Sequence, residues 1–132
     1  MERRDGTYAC PVIIQANATD AFIAINSGDT LTIKVSLEAN AYAGSNVDCW
    51  AAALTPDGAW YYFDCLNAPA QWRSGLAVTL QGPLGSLDAT DLLTISNLAS
   101  GTYTFYFGVD TMMDGQVTTD RLFYDTVVVT VH

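Results

Sequence analysis

Few residues in this chain could do chemistry. The one histidine is His132, the last of 132 residues. An internal Ser-His-Asp or Cys-His pair therefore cannot be assembled. No Gly-rich phosphate loop leads into a helix. Two of the three carboxylates Asp110, Asp114 and Asp120 could in principle act as a glycosidase pair, but a glycosidase of this length, with no deep barrel or cleft, would be unusual. The chain is expected not to be an enzyme.

Those carboxylates have a second use. The stretch Asp110-Thr-Met-Met-Asp114-Gly115-Gln116, with Asp120 beyond it, offers hard oxygen ligands and is a candidate weak calcium loop. It is not the EF-hand pattern, because Met occupies the intermediate positions and the closing Glu is missing. Read without a metal, it is an acidic, solvated loop with a turn at Asp114-Gly115. Zinc is not expected, since His and spaced Cys ligands are lacking.

The aromatic residues Trp50, Trp60, Tyr61, Tyr62, Phe63 and Trp72 crowd one third of the chain. On a strand, Trp60 and Tyr62 share one face while Tyr61 and Phe63 share the other. One face must be core. The other could be a shallow platform on which sugar rings stack, with Trp72 adding to it and Asn67 and Gln71 taking hydroxyls. Alternatively, that face packs under the loop 67–80 with Trp72 as a plug.

Three cysteines leave one odd. Thr55-Pro56-Asp57-Gly58 suits a three-residue hairpin connection with Gly58 in the left-handed position. That register pairs Leu54 with Trp60 and, counted outward, places Cys49 opposite Cys65. A Cys49–Cys65 disulfide is expected on that count, and with it an oxidising compartment. The alternative is two small buried thiols. Cys10 is left free, paired between chains, or competing for Cys65.

These residues need a scaffold, and composition bounds it. One domain's worth of chain carries 5 Lys plus Arg against 14 Asp plus Glu, a formal charge of -9. No basic footprint for nucleic acid or for an anionic membrane surface exists. Half the residues are hydrophobic, enough for a core, while only 14% are charged, well under the usual ~25%. Thr, Ser, Asn, Gln and Gly must supply the polar surface, as is common in extracellular β-proteins. No apolar run is long enough for a membrane-spanning helix. The basic start of the chain is followed by no apolar stretch and is not read as a signal peptide. Asn17-Ala18-Thr19 fits an N-glycosylation sequon.

Period-two runs recur along the chain, separated by Gly, Asn, Asp and Pro. They lie at Val12 to Gln15, Ala21 to Asn26, Leu31 to Leu37, Cys49 to Leu54, Ala59 to Cys65, Leu76 to Leu80, Leu92 to Ile95, Tyr103 to Val109 and Leu122 to Val131. The one candidate helical piece, Leu37 to Ala43, is ended by Gly44. Eight or nine strands and no convincing helix predict an all-β, antiparallel, two-sheet Ig-like sandwich. Leu98-Ala-Ser-Gly101-Thr-Tyr103 has the spacing of a tyrosine corner, in which the hydroxyl bonds back to upstream backbone. Residues 1–15 read as an N-terminal arm with a candidate edge strand, and 16–132 as one domain.

The order of PVIIQANATDAFIAINSGDTLTIKVSL, YAGSNVDCWAAALTPDGAWYYF, NLASGTYTFYFGVD and YDTVVVTV resembles a β-sandwich module found at the C-terminal end of large secreted bacterial proteins. The resemblance spans about Pro11 to Val131. It implies an Ig-like fold, an extracellular or cell-surface location and no catalytic residues. Such modules usually carry an aromatic where this chain has Cys49.

Three functions follow as expectations. The first is a non-catalytic extracellular module for adhesion, interaction or structural support, with a protein or a glycan as partner. The second is a carbohydrate-binding module using the aromatic hairpin. The third is a subunit of an extracellular filament, whose arm Met1 to Gln15 adds as a strand to a neighbour's edge.

Overall fold

The computed structural model describes residues 10–132. Among the described residues, ten strands form two sheets. In chain order they are β1 (Val12–Ala16), β2 (Ala21–Ile25), β3 (Thr30–Leu37), β4 (Asn46–Leu54), β5 (Trp60–Asp64), β6 (Gln71–Ser74), β7 (Leu80–Pro83), β8 (Leu87–Ser96), β9 (Gly101–Asp110) and β10 (Leu122–Val131). The smaller sheet has the order β1-β3-β8. The larger runs β2-β10-β9-β4-β5-β6, with β7 also paired to β4. The arrangement is a β-sandwich, compatible with an Ig-like module. The candidate helix shrinks to a 3-10 turn at Asn40–Tyr42.

Alternation builds the core. On β3, Leu31, Ile33, Val35 and Leu37 are buried between more exposed neighbours. Each such burial contributes roughly 1.5–3 kcal/mol. Val127, Val129 and Val131 of β10 and Tyr103, Phe105, Phe107 and Val109 of β9 meet them from the other sheet.

One pairing departs from the all-antiparallel expectation: β2 runs parallel to β10, with Ala21 opposite Val127 and Ile25 opposite Val131. The cause is a crossing between sheets. After β1 the chain turns through Asn17 and Ala18, both at positive φ, and β2 then joins the larger sheet. Asn17 serves that turn directly. Its side chain donates to Thr30 O at 3.2 Å and accepts the Thr32 N–H at 2.8 Å. The sequon asparagine is thus already engaged by backbone.

The strand within the N-terminal arm is part of this same sandwich. Val12 and Ile14 are core residues, and β1 pairs with β3 from Val12↔Leu37 to Ala16↔Ile33. The Asp125 carboxylate accepts the Ile14 N–H at 3.1 Å, which ties β1 to the other sheet. The remainder of the expected arm, residues 1–9, lies outside the described residues.

The tyrosine corner is present. The Tyr103 hydroxyl donates to Ala99 O at 2.8 Å. Gly101, at φ +140°, is required there by a close approach. A Cβ at this position would lie 2.4 Å from Pro56 Cγ, so the corner and the β4–β5 turn interlock.

Candidate functional site

The β4–β5 hairpin forms as its turn chemistry dictates. The Thr55 N–H donates to Ala59 O at 2.9 Å, the Gly58 N–H donates to Thr55 O at 3.0 Å, and Gly58 sits at φ +85°. The register is Leu54↔Trp60, Ala53↔Tyr61 and Ala52↔Tyr62. There the pairing stops.

The expected Cys49–Cys65 disulfide is not formed: all three cysteines are free thiols. The segment entering β7 intrudes between the two. The Cys65 N–H donates to Thr79 O at 3.0 Å, and the Thr79 N–H donates to Cys49 O at 2.8 Å. Two strand spacings of about 4.8 Å each exceed the ~7 Å that a disulfide spans between Cα atoms. The Thr79 hydroxyl anchors the wedge by accepting the Ala51 N–H at 2.8 Å. Burial, with the Asp48 charge adding to it, pushes the Cys49 thiol up to about 11, and burial does the same to Cys10. Such thiols are poor nucleophiles at neutral pH. The inference of an oxidising compartment loses the support of this bridge.

The aromatic residues divide between faces. Trp60 and Tyr62 point away from the core, whereas Trp72 on β6 points inward. Trp72 packs edge-on to Phe63 with ring centroids 5.7 Å apart, and its indole N–H donates to Leu92 O at 3.2 Å. Asn67 is also committed elsewhere. Its side-chain amide donates to the buried Asp64 carboxylate at 3.0 Å. That carboxylate also accepts the backbone N–H groups of Leu66 and Asn67 and the Arg73 guanidinium at 2.6 Å. The Asn67 side chain, those backbone donors and Arg73 hold Asp64 below the ordinary carboxylate range against the opposing effect of burial. Gln71 is exposed at the start of β6. Of the five expected platform residues, Trp60 and Tyr62 therefore share the outer face, while Trp72 and Asn67 are engaged elsewhere.

The outer face instead joins Trp60 and Trp50 to two tyrosines of distant strands, Tyr106 and Tyr124. A cleft of about 310 Å³ is lined by Trp50, Trp60, Tyr106 and Tyr124, with Ala52, Leu76, Phe107, Gly108, Val117 and Leu122 completing its wall. Cross-strand register explains the grouping. Trp50 is opposite Gly108, which is opposite Tyr124. Trp60 and Tyr106 meet with ring centroids 5.5 Å apart. Gly108 leaves room for this approach: a Cβ there would lie 3.1 Å from Tyr124 Cβ and 3.2 Å from Leu122 Cδ1, a tight contact that its neighbours would have to yield to. Trp50 is only 9% exposed, and its indole N–H has no hydrogen-bond partner. A buried donor without a partner costs about 1–3 kcal/mol and calls for an explanation.

One step along the same face, Asp48 and Asp110 are cross-strand partners and both fully buried. Asp48 accepts Gln81 Nε2 at 2.8 Å and the backbone N–H groups of Asp114 and Gly115 at 3.1 and 2.7 Å. Asp110 accepts the N–H groups of Met112 and Thr118 at 2.9 and 2.6 Å. The two carboxylates shape the 111–121 loop and bring Val117 to the cleft. This geometry bears on the expected calcium loop. Asp110 turns its oxygens to loop amides, Asp114 accepts its own loop's Gln116 N–H at 3.0 Å, and Asp120 lies exposed in a 3-10 turn. Among the described residues no three acidic, Cys or His side chains converge as metal ligands.

Asp48 lies within the stretch YAGSNVDCWAAALTPDGAWYYF, where nothing in its neighbours marks it as a structural carboxylate. Its role depends on a contact 66 residues away, which no local pattern announces. Tyr106 and Tyr124 carried a signal, the outward positions of strongly alternating strands. No protein-family model, curated protein or solved structure matches this chain.

Proposed function

We propose that the protein is a non-catalytic extracellular binding module of the adhesion or interaction type, and that its recognition face is the outer face of the larger sheet. One observation carries this reading: an aromatic cleft lies on the side of β4, β5, β9 and β10 that the smaller sheet does not cover. Apolar side chains on an uncovered face have no cohesive task comparable to the core, and grouped patches of this kind mark interaction sites. The low charged fraction and Thr-rich strands fit an exterior setting. The sugar-platform reading keeps Trp60 and Tyr62 on the outer face but loses Asn67, which serves Asp64, and Trp72, which packs inward. The filament reading loses Val12 to Ala16 as a free donor strand, because β1 completes the chain's own smaller sheet.

The test is retention of the 132-residue chain on a panel of immobilised glycans, extracellular-matrix proteins and small organic cations. Trp60→Ala and Tyr106→Leu are run in parallel after circular dichroism shows both folded. The expected result is that the parent is retained by at least one class and both variants lose that retention. Equal retention of parent and variants, or retention of the parent by nothing, would overturn the assignment of this face.

A further inference from the structure

Resting on that reading, we infer that the aromatic cleft binds a quaternary alkylammonium group of the kind carried by choline. The lining includes Trp50, Trp60, Tyr106 and Tyr124, together with Phe107, aliphatic neighbours and no basic residue. The negative faces of aromatic rings attract a cation, most strongly where water is scarce, and a methylated ammonium also presents apolar surface to them. A volume of about 310 Å³ sits at the small end of ligand sites, suited to a headgroup rather than an extended chain.

Charge points the same way. Asp48 and Asp110 lie one step along the strands from Trp50 and Gly108, and every hydrogen bond to their carboxyl oxygens is an accepted one. Neither has an ion-pair partner among the described residues, where Lys34 pairs with Asp91 and Arg73 with Asp64. Two buried carboxylates with no counter-ion among the described residues therefore adjoin a cleft of aromatic rings, in a chain of formal charge -9. Arg121 precedes the lining residue Leu122 but is exposed, where solvent and salt screen it. A neutral sugar uses the rings but not this field. An anion is opposed by it. A second copy of a chain this acidic is opposed by it as well.

The experiment titrates the whole chain with choline chloride and follows tryptophan indole NMR resonances, with sodium chloride at matched ionic strength as the blank. The neutral isostere 3,3-dimethyl-1-butanol runs alongside. Choline should shift the resonances of Trp60 and Trp50 saturably, and the isostere should bind about tenfold more weakly or worse. Trp60→Ala and Tyr106→Leu should abolish the shift while remaining folded. Phosphocholine should bind the same face, and the tighter of the two ligands identifies a free cation or a phosphate-bearing headgroup as the source. Equal binding of choline and its isostere would overturn the inference, as would the absence of any saturable shift or its persistence in Trp60→Ala. Failure here with Trp60-dependent retention of another class on the panel removes the ligand but keeps the recognition face.

Discussion

Both faces of the larger sheet carry clustered apolar side chains, and for different reasons. The inner face presents Val47, Ala51 and Ala53 of β4 and Phe105, Phe107 and Val109 of β9, and the smaller sheet covers it. The outer face presents Trp50, Ala52, Tyr106 and Gly108 from the same two strands, and only side chains and loops cover it. Burial along β4 is continuous from Trp50 to Ala53 for that reason. An inner residue gains its contacts from a second layer of backbone that cannot move away. An outer residue gains them from rings and a loop held by two carboxylates. The same hydrophobic composition can thus build cohesion on one side and an open cleft on the other.

The largest effect that sharpens this contrast lies on the inner face. Phe105→Ala should cost about 3–5 kcal/mol in urea denaturation, since both layers enclose the cavity it leaves. A loss under about 1 kcal/mol would mean that the sheets do not pack as described. A smaller effect comes from the corner that joins the layers. Tyr103→Phe removes the hydroxyl that donates to Ala99 O and should cost ~0.5–1.5 kcal/mol. An unchanged midpoint would reduce Tyr103 to a space-filler.

The smallest effect is at the polar rim of the outer face. Asp64 is held below the ordinary carboxylate range in the folded protein. Its contribution is therefore complete above the unfolded value of about 3.9. It is lost as pH falls further, through the folded value. Asp64→Asn should flatten the acid limb of the stability curve below about pH 4. An acid limb identical to the parent's would show that Asn67, Leu66 and Arg73 do not favour its charged form.

Strand periodicity was enough to read the sandwich, because alternation such as Leu31, Ile33, Val35 and Leu37 records burial directly. The corner and the Pro-Asp-Gly turn were readable because their chemistry is local. Two features were not. The parallel β2–β10 pair depends on Asn17 and Ala18 adopting positive φ, which only the crossing between sheets compels. The cysteine pairing failed because counting a hairpin register outward assumes that nothing enters between its strands. Here the Thr79 segment does. The cleft was half visible. Trp60 stood out in an aromatic run, but Trp50, Tyr106 and Tyr124 join it only through the order in which β5, β4, β9 and β10 align.

The claim that the outer cluster serves recognition rather than cohesion can be put to a single stability measurement. Trp60 and Trp72 are both half-buried tryptophans on neighbouring strands, one facing the cleft and the other the core. Urea denaturation of Trp60→Ala and Trp72→Ala should separate them. Trp72→Ala is expected to lose about 3 kcal/mol or more, and Trp60→Ala clearly less, since it gives up its contact with Tyr106 and only the part of its surface that the cleft does not leave open. Equal and large losses from both would contradict the distinction and make the outer face a second core.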